Sequence, residues 1–162
     1  MSKYKANCGT EFEIDAEMIP FIERFSWYIN RRSHTSYVYT TRNKKSIGLH
    51  RVLMLATDGQ SVDHINHNGL DNRISNLRIC TNKQNCANLR PRKKARSGYI
   101  GVYFDKEKGT YRAYICQNGR NVYGGAFKNA IDAAKARDKL ALSFRGEFAN
   151  LNFPEASYDH PK

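Results

Sequence analysis

The stretch DHINHNGLDNRISNLRICTNKQNCAN (residues 63–88) decides the fold expected for this 162-residue chain. Asparagine recurs through it, apolar residues are few, and the chain around it has a formal net charge of +12. We therefore expect a β-loop-β-helix hairpin in the middle of the chain. The pattern predicts a strand over residues 62–65, a polar loop over 66–75, a strand over 77–80 and a helix over 81–89 with Thr81 as its N-cap.

This hairpin carries the side-chain types that hydrolysis of a phosphodiester requires: a general base, ligands for a hard cation and a group that fixes the tautomer of the base. Asp63 at the strand end and Asn85 on the helix are expected to approach each other and to offer two oxygen ligands, which suit Mg²⁺ or Mn²⁺. His64 is expected to point the other way, toward a scissile phosphate. The side-chain oxygen of Asn76 is expected to accept the Nδ1–H of His64, which leaves Nε2 able to take a proton from water.

Other polar residues of the hairpin have less specific interpretations. Arg73 and Arg78 are candidates to brace phosphates beside the site, although surface arginines are common. Asn66, Asn68 and Asn72 are interpreted as loop formers, because asparagine tolerates turn geometry and bonds its own backbone.

The cysteines give no sign of a disulfide framework or of a structural zinc site. Cys8, Cys80, Cys86 and Cys116 contain no C-x-x-C pair. A set of His67 with Cys80 and Cys86 is conceivable, but it lacks the tight paired spacing of structural zinc sites. We expect reduced, mostly buried thiols and no zinc.

The basic charge of the chain indicates a polyanionic partner, with nucleic acid as the leading candidate. There are 27 Lys and Arg against 15 Asp and Glu, and residues 62–97 carry a net +6 against +3 for each flanking part. We interpret the run LRPRKKARSG (residues 89–98) as a linker that lies along DNA phosphates, although such runs are usually solvated. Its basic residues are Arg90, Arg92, Lys93, Lys94 and Arg96.

Residues 1–61 predict a small mixed α+β region in front of the hairpin. His50 is expected to lie against the hairpin as a structural histidine. The alternating aromatic residues are either core and sheet-face residues, which we favour, or a surface on which bases stack; they are Trp27, Tyr28, Tyr37 and Tyr39. We expect a strand and then a helix broken near Pro20 within residues 11–24, strands over 26–30, 37–41 and 46–49, and a helical turn over 50–56.

From residue 97 onward the pattern changes to an antiparallel meander followed by a helix. The segments YIGVYFD, TYRAYICQ and RNVYGGAF predict three strands, and Asn118-Gly119 supplies the positive-φ residues of a two-residue hairpin turn. Asn129, with Asp132 three residues on, predicts the capped start of a helix, whose alanines allow it to lie close to the sheet. The fold class expected for the whole chain is therefore α+β.

The block D-H-I-N-x-N-x-x-D-N-R-x-x-N-L-R, followed by T-x-x-x-N, resembles the HNH family of homing endonucleases, especially the phage intron type. The resemblance implies a ββα-metal fold in which His64 is the general base, Asn76 orients it, and Asp63 and Asn85 bind the metal. Many HNH enzymes have His where this chain has Asn85, whereas the phage-type members have Asn.

Residues 97–154 resemble the plant ethylene-response-factor type of DNA-binding domain. The resemblance rests on YIGV (99–102), the spacing to Tyr111 and Ile115, GAF (125–127), AAKARD (133–138), FRG (144–146) and LNFP (151–154). It implies a three-stranded sheet that enters the major groove and is backed by the helix. The contact positions of the family fall near Tyr103, Lys106, Lys108, Arg112, Tyr114, Arg120 and Tyr123. Tyr or Lys replaces Arg or Trp of the family at several of them, so the target sequence is not transferable.

Together these observations predict a site-specific endonuclease that uses Mg²⁺ or Mn²⁺ to nick or cut double-stranded DNA as a monomer or homodimer. The alternatives are a non-catalytic DNA-binding regulator derived from a homing endonuclease and, with less support, an RNA-binding protein.

No apolar run has the length of a spanning helix and no signal peptide is visible, so we expect no membrane partner and a cytoplasmic location in a bacterial or phage-infected cell. The expected parts are 1–61 (N-terminal part of the nuclease domain), 62–89 (HNH motif), 90–98 (basic linker), 99–154 (ethylene-response-factor-like domain) and 155–162 (tail).

Overall fold

The computed structural model describes residues 2–32, 35–88 and 96–154. Its mixture of small antiparallel sheets and short helices confirms the predicted α+β class. The chain divides into two compact units, Met1–Cys86 and Ala87–Lys162. None of the helices in the described ranges is both long and apolar enough to cross a membrane. The expected tail, most of the expected linker, and Arg90, Arg92, Lys93 and Lys94 lie outside the described residues.

The first unit is built from small antiparallel sheets joined by short helices. Its strands are β1 (Ser2–Lys5), β2 (Glu11–Ile14), β3 (Tyr28–Arg31), β4 (Ser36–Arg42), β5 (Lys45–Gly48), β6 (Ser61–His64) and β7 (Leu77–Cys80). Its helices are α1 (Ile19–Ile22) and α2 (Leu49–Leu53), with 3₁₀ turns at Ala16–Met18 and Ile74–Asn76, and α3 (Asn82–Asn88) begins in it. The sheets are β1-β2, β3-β4-β5 and β6-β7.

The core of the first unit lies among β2, α1, β4 and α2. Its largest buried side chains are Phe12, Ile14, Ile22, Trp27, Val38 and Leu49. Phe12 and Ile14 point to the same side of β2, as expected for a strand with one buried face. Trp27 is 1% exposed and its Nε1–H donates to Ile22 O at 2.8 Å. Trp27 is therefore a core residue and not part of a base-stacking surface.

Two features at the N-terminal end differ from the sequence-based expectation. Pro20 lies in the first turn of α1, where a backbone N–H has no intrahelical partner, so the proline begins this helix and does not break one. β1 is not predicted at all, because four residues carry too little periodicity to be recognised. It forms because it pairs with β2, with Ser2 opposite Ile14.

The predicted β-loop-β-helix hairpin is present as β6, β7 and α3. The start of α3 has a reciprocal pair of hydrogen bonds between Thr81 and Gln84. Thr81 Oγ1 accepts the backbone N–H of Gln84 at 3.2 Å, and Gln84 Oε1 accepts the backbone N–H of Thr81 at 2.8 Å. Thr81 is confirmed as the N-cap, and with Gln84 it forms a capping box.

The polar loop between β6 and β7 is held against β2 and β4. The backbone N–H of Glu13 donates to Leu70 O at 2.8 Å, and its carbonyl accepts the N–H of Asn72 at 2.9 Å. Gly69 lies so close to β4 that an added Cβ would be 2.4 Å from Ser36 O. Contacts from two strands thus define the path of the loop, and with it the position of the loop side chains beside the end of β6.

The second unit is a three-stranded antiparallel sheet packed on a helix. Its elements are β8 (Val102–Asp105), β9 (Thr110–Gln117), β10 (Arg120–Phe127) and α4 (Ala130–Arg145), followed by a 3₁₀ turn at Gly146–Phe148. The strand order is β10-β9-β8. Asn118 and Gly119 have φ angles of 51° and 76°, which confirms the predicted hairpin turn. Asn129 Oδ1 accepts the N–H of Asp132 at 2.8 Å, which confirms the predicted helix cap.

Small side chains allow α4 to lie close to the sheet, as the sequence predicts. Ala133 and Ala134 are fully buried against Val102 and Ala113. A Cβ added at Gly124 of β10 would be 3.4 Å from Leu140 Cδ2 of α4. Because α4 lies this close to the sheet, the core of the second unit has no space for larger side chains at Ala133, Ala134 and Gly124.

The segment after α4 is attached to the helix by the carboxylate of Asp138, which is fully buried. Asp138 Oδ2 accepts the backbone N–H groups of Asn152 and Phe153 at 2.7 and 3.0 Å. Asp138 Oδ1 accepts from Asn152 Nδ2 at 3.0 Å and from Arg137 Nη1 at 3.1 Å. Asn152 in turn bonds both backbone polar groups of Ile100 through its side-chain amide, so one carboxylate organises both ends of the unit.

Candidate active site

Asp63 and His64 are neighbours at the end of β6, and both side chains are buried, with exposures of 6% and 5%. Consecutive strand residues point to opposite faces of a sheet, so the carboxylate and the imidazole have different surroundings. Across the hairpin, β7 places Arg78 opposite Asp63 and Leu77 opposite His64. The two residues are therefore best considered separately.

Asp63 forms an ion pair with Arg78. Arg78 Nη2 lies 2.7 Å and Nε lies 3.0 Å from Asp63 Oδ2. The Arg78 side chain is 11% exposed and that of Asp63 is 8% exposed, so solvent screens the pair far less than it would a surface pair. Arg78, which the sequence suggests as a phosphate contact, is thus in contact with the predicted metal ligand.

The His64 imidazole lies in a cluster of rings. Its ring centroid is 5.2 Å from that of His50 and 5.7 Å from that of Tyr37. Burial lowers the pKa of His64, while the Asn72 side chain and the charge of Asp63 act in the opposite direction. Because the pKa is lowered, the imidazole is neutral at neutral pH, which is the form that accepts a proton from water.

His50 lies against the hairpin, as predicted, and its contact with the His64 ring makes it part of the site. Its side chain is 9% exposed, and its Nδ1 has no hydrogen-bond partner among the described residues. Burial, together with the nearby His64 and Arg51, lowers the pKa of His50 to about 3. Gly48 makes space for the ring, because a Cβ there would be 2.5 Å from His50 Cε1.

We expect the first unit to lose stability as the pH falls below 6.5, because His50 takes up a proton only when the unit unfolds. An unfolded histidine has a pKa of about 6.5, whereas that of folded His50 is about 3. The unfolded chain therefore binds more protons across this window, and stability decreases with acidification. Between pH 6.5 and 4.5 the expected contribution of His50 is a loss of about 2 kcal/mol in the free energy of unfolding.

Urea unfolding at a series of pH values measures this loss, with the fluorescence of Trp27, the single tryptophan, as the signal for the first unit. The matched variant is His50→Phe, which keeps a ring of similar size and removes the titrating group. Its stability should depend less steeply on pH than that of the wild type. Equal pH dependence in the two proteins would show that His50 titrates normally in the folded state.

Asn76 makes contacts other than the predicted one. Its Oδ1 accepts the backbone N–H of Asn66 at 3.0 Å, and its Nδ2 donates to Asp71 O at 2.8 Å. Asn72, interpreted from the sequence as a loop former, is completely buried, and its Nδ2 donates to Gly69 O at 3.4 Å. Its side chain acts to raise the pKa of the His64 imidazole, and Asn76 supports the loop in which Asn72 lies.

Arg73 is occupied by carboxylates of its own unit. Its Nε and Nη2 lie 2.7 and 2.6 Å from the two carboxylate oxygens of Asp71, and its Nε lies 3.4 Å from Glu13 Oε2. This guanidinium holds the pKa of Asp71 below its usual range. Arg73 therefore fastens the loop and is only partly exposed.

The side-chain oxygens of Asn66 and Asn68 accept backbone N–H groups two residues further along the chain, at 2.9 and 3.1 Å, which confirms these asparagines as loop formers.

Asn85 is half-buried on α3, and its backbone N–H donates to Thr81 O at 3.0 Å. Within the described residues, no three His, Cys, Asp or Glu side chains are grouped as a metal site would require. Asp63 and Asn85 would supply one carboxylate and one amide oxygen. That donor set fits a hard cation whose remaining ligands are water and phosphate oxygens.

The cysteines are free thiols, as expected, but their predicted burial is wrong for three of the four. Cys80 at the end of β7 is buried, and burial raises the pKa of its thiol. Cys8, Cys86 and Cys116 are exposed, because they lie in a turn, on α3 and on the outward face of β9. Composition alone does not show which face of an element a cysteine occupies.

The outward face of the sheet in the second unit carries a row of tyrosines beside an arginine. Tyr103 lies opposite Arg112, and Tyr114 lies opposite Tyr123, on neighbouring strands. The ring centroids of Tyr103 and Tyr114 are 6.1 Å apart, and those of Tyr114 and Tyr123 are 5.4 Å apart. Arg112 also forms an ion pair with Asp105. Tyr103 and Tyr123 are more than half exposed, at 58% and 54%.

The other predicted contacts of this unit lie at the edges of that face. Lys106 and Lys108 are in the turn between β8 and β9, and Arg120 begins β10 at the opposite end of the sheet. All three are exposed, and so is Arg96. Basic residues thus border the aromatic face at both ends.

Comparison with known proteins adds to this geometry. A sequence model described as HNH endonuclease matches residues 48–87, the part of the chain that holds His50 and the hairpin. An uncharacterized HNH endonuclease of Acanthamoeba polyphaga mimivirus is 30% identical over 151 residues, which cover 89% of this chain and 75% of the viral protein. The chain belongs to the HNH endonuclease family.

Other similarities of this HNH family member are partial. An AP2-like ethylene-responsive transcription factor of Arabidopsis thaliana is 41% identical over 69 residues, and an APETALA2-like protein of Oryza sativa is 39% identical over 69 residues. These matches cover 43% of this chain, and the chain spans only 14% and 16% of the length of these plant relatives. No solved structure matches the chain.

Proposed function

We propose that this HNH family member is a site-specific DNA endonuclease of the homing type, with His64 as general base and one divalent cation, Mg²⁺ or Mn²⁺, as cofactor. The observation that carries the proposal is a buried imidazole with a lowered pKa, directly next to the buried carboxylate of Asp63 at the end of β6. Metal-assisted phosphodiester hydrolysis needs a base for the attacking water and a ligand for the cation, and the end of β6 supplies one of each.

The cation would be held by Asp63 of β6 and Asn85 of α3. When bound, it neutralises charge on the phosphate and on the leaving oxygen. The chain contributes only two oxygen ligands in this arrangement, which leaves positions for water and for phosphate oxygens, as Mg²⁺ prefers.

The proton of the attacking water passes to Nε2 of His64 in the proposed reaction. The lowered pKa makes this nitrogen available at neutral pH. The rings of His50 and Tyr37 restrict the orientation of the imidazole. The oxygen of Asn76 that was predicted to accept from His64 accepts the backbone N–H of Asn66, so Asn76 is proposed to act on the imidazole only through the loop that follows His64.

For the second unit, we propose an ethylene-response-factor-like DNA-binding domain over residues 99–154, which positions the nuclease domain of residues 1–89 on double-stranded DNA through the basic linker 90–98. The three-stranded sheet on a helix, the tyrosine and arginine face and the partial identity to AP2-like proteins support this assignment. The enzyme is proposed to act as a monomer or homodimer. The proposed DNA contacts are Arg73, Arg78, Arg90, Arg92, Lys93, Lys94, Arg96, Tyr103, Lys106, Lys108, Arg112, Tyr114, Arg120 and Tyr123.

Supercoiled plasmids that carry candidate target sequences test the metal-dependent nuclease. With Mg²⁺ or Mn²⁺ the purified protein should convert them to nicked or linear DNA, and with EDTA it should not. Asp63→Asn should reduce the rate by at least about 10²-fold, because the ligand loses its negative charge. Asp58→Asn, a carboxylate-to-amide change at an exposed position of the same unit, should leave the rate unchanged.

Products are read on an agarose gel. Cleavage that continues in EDTA, or in Asp63→Asn at the wild-type rate, would contradict the proposed role of the metal ligand. Binding to the plasmids without cleavage, in wild type and across varied targets, would favour the non-catalytic DNA-binding regulator.

A further inference from the structure

Arg78 occupies the carboxylate that we propose as a metal ligand. Its Nη2 and Nε both bond the same oxygen, Asp63 Oδ2, at 2.7 and 3.0 Å. The contact follows from the hairpin register, which places the two residues directly opposite each other on β6 and β7. Both side chains are about nine-tenths buried, so the pair is part of the interior of the site.

A guanidinium in this position opposes the binding of a cation. It offsets the negative charge that attracts the divalent ion, and the repulsion between the two cations is weakly screened where water is largely excluded. It also uses a carboxylate oxygen that the metal would need. Arg73, the other arginine beside the loop, is different: its partners are Asp71 and Glu13, and it is 30% exposed.

The donor geometry of Arg78 suits a second partner. The planar fork of an arginine matches a phosphate as well as it matches a carboxylate. A DNA phosphate next to Asp63 would therefore offer the guanidinium an equivalent partner at the moment when the cation needs the carboxylate.

We propose that Arg78 is an exchangeable counter-ion of Asp63. In the DNA-free protein its guanidinium holds the carboxylate and weakens cation binding; on the DNA it transfers to a phosphate, and the carboxylate binds the cation. This inference rests on the proposed function of Asp63. Its consequence is a positive coupling in which DNA raises the affinity for the cation and the cation raises the affinity for DNA.

Binding of Mn²⁺ to the DNA-free protein, measured by isothermal titration calorimetry, tests the first part of the proposal, that Arg78 weakens cation binding. Arg78→Gln should bind Mn²⁺ about tenfold more tightly than wild type, because a positive charge beside the ligand is removed. Arg24→Gln, which removes a guanidinium from an exposed position of the same unit, should change the affinity by less than about threefold. Asp63→Asn should abolish binding, with and without Arg78→Gln. Fluorescence of Trp27 verifies that each variant is folded.

The second part of the proposal, that DNA binding releases Asp63 from Arg78, is tested in the His64→Ala protein, which should bind DNA without cutting it. A short DNA duplex at low salt should tighten Mn²⁺ binding, and this coupling should shrink when Arg78→Gln is added. The Nε–H signal of Arg78 in the NMR spectrum should shift between the DNA-free protein and its complex with DNA and Mg²⁺, while that of the exposed Arg24 should not. This last measurement keeps the arginine and does not depend on whether Arg78→Gln folds.

These measurements distinguish failure of the proposed Arg78 exchange from failure of the proposed metal ligand Asp63. If folded Arg78→Gln binds Mn²⁺ no more tightly than wild type while Asp63→Asn loses binding, the exchange is overturned and the metal ligand stands. An Arg78 signal that is the same in the DNA-free protein and in its complex with DNA and Mg²⁺ also overturns the exchange. Mn²⁺ binding that survives in Asp63→Asn overturns the proposed ligand, and the exchange with it.

Discussion

DNA cleavage by His64→Ala should be slower than that by wild type by about 10²–10⁴-fold, the range expected for loss of a general base. The His64 imidazole is buried among rings and its pKa is lowered, so it is neutral at neutral pH, ready to take a proton from water. Alanine removes the only proton acceptor that the proposed mechanism uses. Because the neutral imidazole is proposed to act on the attacking water and not to bind a phosphate, DNA affinity should change by less than about threefold.

The rate is measured in single turnover with saturating protein, and the affinity by a filter-binding assay in EDTA. His67→Ala serves as the control, because His67 lies in the same loop, three residues after His64, and has no role in the proposed reaction. Its cleavage rate should stay near that of wild type. A His64→Ala protein that cleaves at the wild-type rate would assign the base elsewhere, and one that loses DNA binding in parallel would show that His64 acts on affinity.

The free energy of unfolding of the second unit should fall by about 3–5 kcal/mol in Asp138→Ala, as expected when a buried carboxylate is removed from charged and backbone partners. Asp138 is fully buried and accepts hydrogen bonds from Arg137, Asn152 and Phe153. Alanine would leave those donors without their acceptor inside the unit, and a buried unsatisfied donor is strongly destabilising. The segment that follows Ala149 would also lose its attachment to α4.

Asp132→Ala provides the comparison on the same helix. Asp132 is exposed near the N-terminus of α4 and bonds only Asn129 through its side chain among the described contacts, so its loss should cost about 0.5–1 kcal/mol. Unfolding of the second unit in urea is measured through the hydrogen exchange of the β9 amides. Fluorescence of Trp27 reports on the first unit, which should stay folded in both variants. An equal loss of unfolding free energy in the two variants would show that the buried carboxylate of Asp138 does not stabilise the second unit more than the exposed carboxylate of Asp132.

Features that depend on residues close in the chain were predictable from the sequence. The hairpin turn at Asn118-Gly119 requires two positive φ angles, which these residue types adopt readily. The caps at Thr81 and Asn129 use side chains that bond a backbone group three residues on. In each case the interaction closes within four residues, so its energy is nearly independent of the rest of the fold.

The surroundings of His64 were not predictable in the same way. His50 and Tyr37 are 14 and 27 residues away in the chain, and they reach the imidazole only because the β3-β4-β5 sheet and α2 pack beside the hairpin. Asn72 was interpreted as one loop asparagine among several. Its influence on the pKa of the imidazole depends on the loop being held by Glu13 of β2, a contact between distant segments.

The element types of the hairpin and of the C-terminal sheet and helix follow from the sequence, and so do the residue types that a metal-assisted hydrolase needs. Which of those residues meet depends on how the chain packs. This packing paired Asp63 with Arg78, joined Arg73 to Asp71 and Glu13, and placed Asn76 in the loop network. The physical reason is that turns and caps are local hydrogen bonds, whereas the partner of a buried charge is selected by strand register and by the exclusion of water, which exist only in the folded chain.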